Sequence, residues 1–245
     1  MARNYRIGQI VPSSNTTMET EIPAILNSRQ ALFPDETFTF HSSRMRMHKV
    51  TLEELVKMNA QGERCAAELA DAQVDVMSTA CLVAIMAMGP GHHKVTEQEL
   101  TEAAGGSCPV LTSAGALVEG LQILKAKRIA LLAPYMRPLA CQVVDYIEHE
   151  GIQVASWDCF EIPDNLEVGR RDPMQLVEDV KKLDIGSVDA VVLSACVQMP
   201  SLPAIQQVQD ALGIPVTSTA VCTARVMLDR LGLAPKALNA GALLA

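Results

Sequence analysis

Cys81 and Cys196 occupy the same place in two similar stretches of the chain. Val74-Asp75-Val76-Met77-Ser78-Thr79-Ala80-Cys81 is echoed by Val188-Asp189-Ala190-Val191-Val192-Leu193-Ser194-Ala195-Cys196. In each, an apolar β-prone run leads to a thiol, so each cysteine is expected to follow a strand and begin a helix. A helix N-terminus stabilises a thiolate and can lower its pKa. The thiolate is the reactive form, which suits covalent attack, and a second thiol suits proton transfer. Plain burial is the competing reading, because free cysteine is among the most buried residue types. The matched placement favours chemistry. Cys65, Cys108, Cys141, Cys159 and Cys222 lack it and read as core or incidental. No CxxC or zinc spacing occurs, so no metal is expected.

The elements that must hold this pair are strands alternating with helices. Strand candidates are Ile7–Val11, Thr37–Ser42, Val74–Ser78, Val110–Thr112, Arg128–Leu132, Gln153–Trp157, Ala190–Leu193 and Val216–Thr217. Runs of this kind, buried on both faces, suit a parallel sheet covered by helices. Helices are expected over roughly 52–72, 97–104 and 173–183, starting at the capping boxes Thr51–Glu54 and Thr96–Glu99 and at Asp172-Pro173. Further echoes occur in the same order. Arg6-Ile7-Gly8-Gln9-Ile10-Val11-Pro12 matches Arg128-Ile129-Ala130-Leu131-Leu132-Ala133-Pro134, and Cys108–Ala114 matches Ile214–Ala220. The expected fold is α/β, with two pseudo-twofold-related lobes, each a roughly four-stranded parallel sheet flanked by helices. Residues 1–118 plus 219–245 would form the first lobe and 119–218 the second, with no linker and the active site in the cleft between them.

Ligands bind beyond the carboxyl ends of parallel strands. Those ends carry Ser13 to Thr17, Thr79 to Cys81, Ser113, Pro134-Tyr135, Ser194 to Cys196 and Ser218-Thr219. Asn15 reads as a helix cap that can also contact a ligand. Tyr135 holds the equivalent place in the second lobe, and Asn165 reads first as a turn residue. His92 and His93, after Gly89-Pro90-Gly91, suggest a mobile loop. Arg170-Arg171 reads as a solvated pair whose loop could reach a carboxylate.

Composition sets the outer limits. Of 245 residues, 49% are hydrophobic and 20% charged, which describes a globular chain. Aromatics are 3%, so aliphatic residues and the 12 methionines must fill the core. A net charge of −8 argues against nucleic acid as a partner. The longest apolar run, Ala80 to Met88, falls far short of the roughly 20 residues that span a bilayer, so no membrane partner is expected. With no secretory signal at the N-terminus, a reducing cytoplasm and free thiols are expected. A homodimer is expected because most homo-oligomers have twofold symmetry. Net charge gives an anionic substrate no help, so an anion site must come from backbone N–H groups or helix ends.

The paired cysteines, the repeated lobes and the length resemble the aspartate/glutamate racemase superfamily. Val11-Pro12-Ser13-Ser14-Asn15-Thr16, Cys81-Leu82-Val83-Ala84-Ile85-Met86 and Cys196-Val197-Gln198-Met199 are more closely similar to the maleate cis–trans isomerases. Arylmalonate decarboxylases share the scaffold but keep only the second-lobe cysteine, so Cys81 argues against that branch. The resemblance covers essentially the whole chain. It implies that maleate is held by Asn15, Cys81, Leu82, Val83, Tyr135, Asn165, Val197 and Gln198. It further implies that Cys81 attacks the alkene to give a succinyl-cysteine adduct. Rotation about the resulting single bond, proton transfer by Cys196 and expulsion of Cys81 then give fumarate. For that family it implies no cofactor and a place in nicotinate degradation.

Two other readings stay open at this stage. A racemase would use the same pair to exchange a proton at a Cα, but it needs a polar group for the substrate ammonium, and the motifs offer no clear candidate. A dicarboxylate-binding module would close its lobes on a ligand without turnover, but it has no need of reactive thiols.

Overall fold

The structure is a computed structural model and describes residues 3–245. Strands β1 (Arg3–Pro12), β2 (Glu36–Met45), β3 (Val76–Thr79) and β4 (Val110–Thr112) form one parallel sheet in the order β2-β1-β3-β4. Strands β5 (Arg128–Ala133), β6 (Gln153–Cys159), β7 (Ala190–Ser194) and β8 (Val216–Ser218) form a second in the same order, β6-β5-β7-β8. All eight expected strands are present. The central strands β3 and β7 are buried along their length, whereas β2, an edge strand, is polar and half-exposed.

The sequence echoes are structural equivalents. Asp75 accepts the backbone N–H of Arg6 at 2.7 Å, and Asp189 accepts those of Lys127 and Arg128 at 2.8 Å. Each carboxylate thus anchors the start of its central strand. At the other end, the Ala80 N–H donates to Ile10 and the Ala195 N–H to Leu132, at 2.8 and 2.9 Å. The residue before each key cysteine is therefore still on the sheet.

Helices differ from expectation in three places. The expected helix 52–72 is two helices, α2 (Leu52–Asn59) and α3 (Gly62–Asp71). At the break, Asn59 donates to Ala84 and Gln61 accepts from Arg46, so polar side chains serve backbone elsewhere. The helix expected from residue 97 is α5 (His92–Ala103), following α4 (Leu82–Met86). Thr96 therefore caps nothing; Glu97 instead accepts the Thr112 N–H and hydroxyl at the end of β4. His92 and His93 begin α5 rather than lie in a loop, and His93 is buried against Tyr146. Over 173–183, Asp172 caps as expected. The segment is then two 3-10 turns around a short helix, Leu176–Asp179.

The last long helix (Thr219–Arg230) packs against α1 (Met18–Ser28), the crossover helix α6 (Ser113–Ile123) and β3. On that ground we propose that residues 219–245 belong with 1–118, leaving 119–218 as the second lobe.

Candidate active site

The strand ends of both sheets meet. Past β1, the Asn15 side chain accepts the Thr17 and Met18 N–H groups at 3.1 and 3.0 Å and so caps α1. That use takes its oxygen and leaves its amide hydrogens as the donors it can offer. Arg44 of β2 braces the same turn, donating to the Ser13 and Asn15 carbonyls at 3.1 Å while pairing with Glu19.

Past β3, Cys81 turns into α4 with φ 76° and ψ 67°. This left-handed conformation costs an L-residue about 1–2 kcal/mol. The turn aims the side chain off the sheet end. Cys81→Gly removes that strain but adds chain entropy of similar size to the unfolded state. We expect its Tm within a few degrees of the parent by calorimetry, with any chemistry that needs this thiol lost.

Cys196 departs from expectation. It does not begin a helix: the chain continues as a loop until α10 (Leu202–Leu212). The Ser194 hydroxyl lies 2.8 and 3.0 Å from the Cys196 and Met199 carbonyls and closes that loop into a compact turn. The Gln198 N–H points at Cys196 Sγ, 3.3 Å away.

Tyr135 joins the two cysteines. It is buried, its hydroxyl donates to the Ala195 carbonyl at 3.0 Å, and it contacts Cys196 Sγ and the Val83 N–H. Cys81, with Leu82 and Val83 following, is close enough to Cys196 for their charges to interact. Gln198, just after Val197, locks the surround. Its oxygen accepts the Thr16 and Thr17 N–H groups at 2.9 and 3.3 Å. Its amide donates to Asn165 at 2.8 Å and to Ser14 at 3.3 Å. Asn165, which begins α8 (Asn165–Gly169), donates in turn to Ser14 Oγ at 2.9 Å. An antiparallel bridge between Lys49 and Asp164 ties the two halves beside it.

A family model described as arylmalonate decarboxylase matches residues 7–244. The chain is 61% identical to the maleate isomerase of Geobacillus stearothermophilus, covering 100% of this chain and 98% of that protein. The chain belongs to the maleate isomerase family. A crystal structure from that family, a cysteine-to-alanine variant of the maleate isomerase Iso of Pseudomonas putida S16 with maleate, matches with a TM-score of 0.97. It is 52% identical, over 99% of this chain and 98% of that one. A cysteine-to-serine variant of the Nocardia farcinica maleate cis–trans isomerase matches at 0.94. That variant has a covalently bound succinylcysteine intermediate and is 48% identical, over 99% of this chain and 98% of that one.

For a maleate isomerase family site, the electrostatics run against the helix-end argument. Burial pushes the Cys81 thiol up to about 12, although the Ala84 N–H opposes the shift and a charge on Cys196 would add to it. Cys196 is also raised, by burial first. The Tyr135 hydroxyl and the Gln198 and Met199 N–H groups pull it down, and the Glu21 carboxylate pushes it up. Helix α4 has only five residues. Cys81 is half-buried, and a helix end this short does not offset the water its sulfur loses. Both shifts favour the thiol form.

Four residues of this site were not singled out from the sequence: Glu21, Arg44, Gly169 and Ser201. Glu21 lies in the first turn of α1 and Arg44 on the edge strand β2, and neither carries a sequence motif. Gly169 had a signal only in retrospect. A Cβ there would lie 2.4 Å from Gln198 Nε2 and 2.8 Å from Thr16 Oγ1.

Proposed function

We propose that this protein isomerises maleate to fumarate through a covalent adduct on Cys81. The observation that carries the reading is the meeting of Cys81 and Cys196 across Tyr135 within a frame of neutral donors. The related structures with maleate and with a succinylcysteine support the substrate and the intermediate.

The steps balance without an external reductant or oxidant. The Cys81 thiolate forms a bond to one alkene carbon. The π pair moves to the neighbouring carbon and its carboxylate, where fixed N–H and O–H donors stabilise it. The Cys196 thiol protonates that carbon, leaving a succinyl group on Cys81 and a thiolate on Cys196. The former double bond is now single and rotates. Rotation turns the other hydrogen of that carbon toward Cys196, whose thiolate removes it; the alkene reforms as fumarate, and the Cys81 sulfur leaves with its electron pair. Asn15 amide hydrogens and the backbone at Leu82, Val83, Val197 and Gln198 would hold the carboxylates, joined by the Tyr135 hydroxyl once it turns from the Ala195 carbonyl. Asn165 would line the same side. Neutral donors serve a dianion here without fixing the thiolate in an ion pair.

This chemistry sets a pH profile. Cys81 must lose a proton to attack, and Cys196 must keep one to donate. Both thiols are raised and each opposes ionisation of the other, so the pair loses its first proton above neutral pH and its second later still. The rate, kcat/KM against pH, should rise as pH climbs from neutral and fall at the alkaline end when the second thiol ionises. A flat profile from pH 6 to 9, roughly the span in which ordinary thiols begin to titrate, would contradict it.

Proton NMR of the protein mixed with maleate, and separately with L-aspartate, tests the function. Loss of the maleate alkene signal with gain of fumarate is expected. Racemisation of aspartate alone, or binding of maleate without turnover, would overturn the proposal. A cytoplasmic setting, where thiols stay reduced, is the one we propose; no helix among the described residues is long and apolar enough to cross a bilayer. A homodimer is the assembly we propose.

A further inference from the structure

Glu21 lies in α1 and is only 6% exposed, yet no step above uses it. Its Oε1 accepts the Ser201 and Leu202 N–H groups, both at 2.6 Å, and its Oε2 accepts the Ser201 hydroxyl at 3.3 Å. Leu202 opens α10, whose first amide hydrogens have no partner within the helix. A serine before a helix ordinarily caps it with its own side chain. Ser201 makes no such bond; its hydroxyl goes to Glu21 instead. The cap of α10 is thus supplied from about 180 residues away in the chain.

Ser201 lies five residues beyond Cys196. The loop between them is pinned by Ser194 at its start and by Gln198 in its middle, as described above. Glu21 pins its far end to α1. A buried carboxylate is costly unless its oxygens are bonded. Burial raises the pKa of Glu21, and the three hydrogen bonds work against that rise. Its charge also disfavours a thiolate at Cys196, the direction that a proton donor requires.

We propose that Glu21 is a positioning residue for Cys196: its carboxylate holds the start of α10 and so sets where the thiol stands over the cleft. The proposal rests on Cys196 being the proton donor.

Two variants separate grip from packing. Glu21→Gln keeps an oxygen for both N–H groups, and the Ser201 hydroxyl can turn to accept from the new amide. Glu21→Ala releases the loop. A misplacement of about 1 Å can cost about a hundredfold in rate. We expect Glu21→Ala to lower kcat for maleate about 30-fold or more with KM held within about threefold, the mark of an interaction that acts on the chemical steps. Mass spectrometry should still find the adduct on Cys81. Glu21→Gln should restore kcat to within about threefold of the parent. If the alanine variant does not fold, Glu21→Asp, shorter by one methylene, takes its place. It should lose about tenfold in kcat at unchanged KM.

A folded Glu21→Ala or Glu21→Asp with parental kcat overturns the proposal, as does a change in KM alone. So does a Glu21→Gln variant as slow as Glu21→Ala. If Cys196→Ala keeps parental activity, the proton-donor reading fails and the proposal with it. If Cys196→Ala is inactive and Glu21→Ala is not, only the Glu21 proposal fails.

Discussion

Cys81→Ala and Cys196→Ala should each cut maleate turnover by about four orders of magnitude or more, the usual cost of removing a member of a cooperating catalytic set. Both variants should fold, since each loses one sulfur at a cleft rather than a large core group. The two losses should differ in kind. Without Cys81 no carbon–sulfur bond can form, and no adduct should be detectable at any time. Without Cys196 attack can begin, but the carbanion has no placed proton. Cys196→Ser should keep a trace of activity, because a hydroxyl can donate a proton although it takes one back poorly. Steady-state kinetics with a mass measurement of the intact protein checks all three variants. Equal and modest losses in both alanine variants would point to a cleft that binds without covalent chemistry.

Gln198→Ala should be nearly as damaging, by a structural route. The side chain bonds the Thr16 and Thr17 N–H groups and the Asn165 and Ser14 carbonyls. Truncation would leave these buried groups unpaired, at about 1–3 kcal/mol each where water cannot enter. A net loss of about 3–5 kcal/mol is expected. For a chain of this length that lowers Tm by about 10 °C. It also unties the Asn15 turn from the loop after Cys196, so kcat should fall together with stability. Gly169→Ala offers an independent check. Its new methyl would displace the Gln198 amide and should reproduce the phenotype in milder form. A Gln198→Ala variant with parental Tm would show that the network bears little load.

The sequence made the strands and the pairing of Cys81 with Cys196 legible because both depend on local pattern. Val188–Cys196 repeats the pattern of Val74–Cys81 with one extra residue, and an apolar run buried on two faces can be recognised without its partners. What stayed hidden depends on distant neighbours. The left-handed turn at Cys81 has no signature when the residue is not glycine. The loop after Cys196 replaces an expected helix start because the Ser194 hydroxyl meets the Cys196 and Met199 carbonyls and holds the compact turn. The thiol pKa shifts ran upward because desolvation depends on what packs around the sulfur, including residues of the other half of the chain. Glu21 carries no local motif, because the N–H groups that it holds are at Ser201 and Leu202. Gln198 was expected beside the substrate, and its side chain is bonded throughout to the protein.

The whole mechanism turns on which cysteine attacks and which donates the proton. To separate the roles, Cys196→Ser is incubated with maleate, quenched and digested, and the added mass is located by tandem mass spectrometry. The expected result is a succinyl group on the peptide containing Cys81, with the introduced serine unmodified. In the parent protein, any trapped adduct should also be on Cys81. An adduct on Cys196 in the parent, with Cys81 free, would reverse the roles and contradict the mechanism.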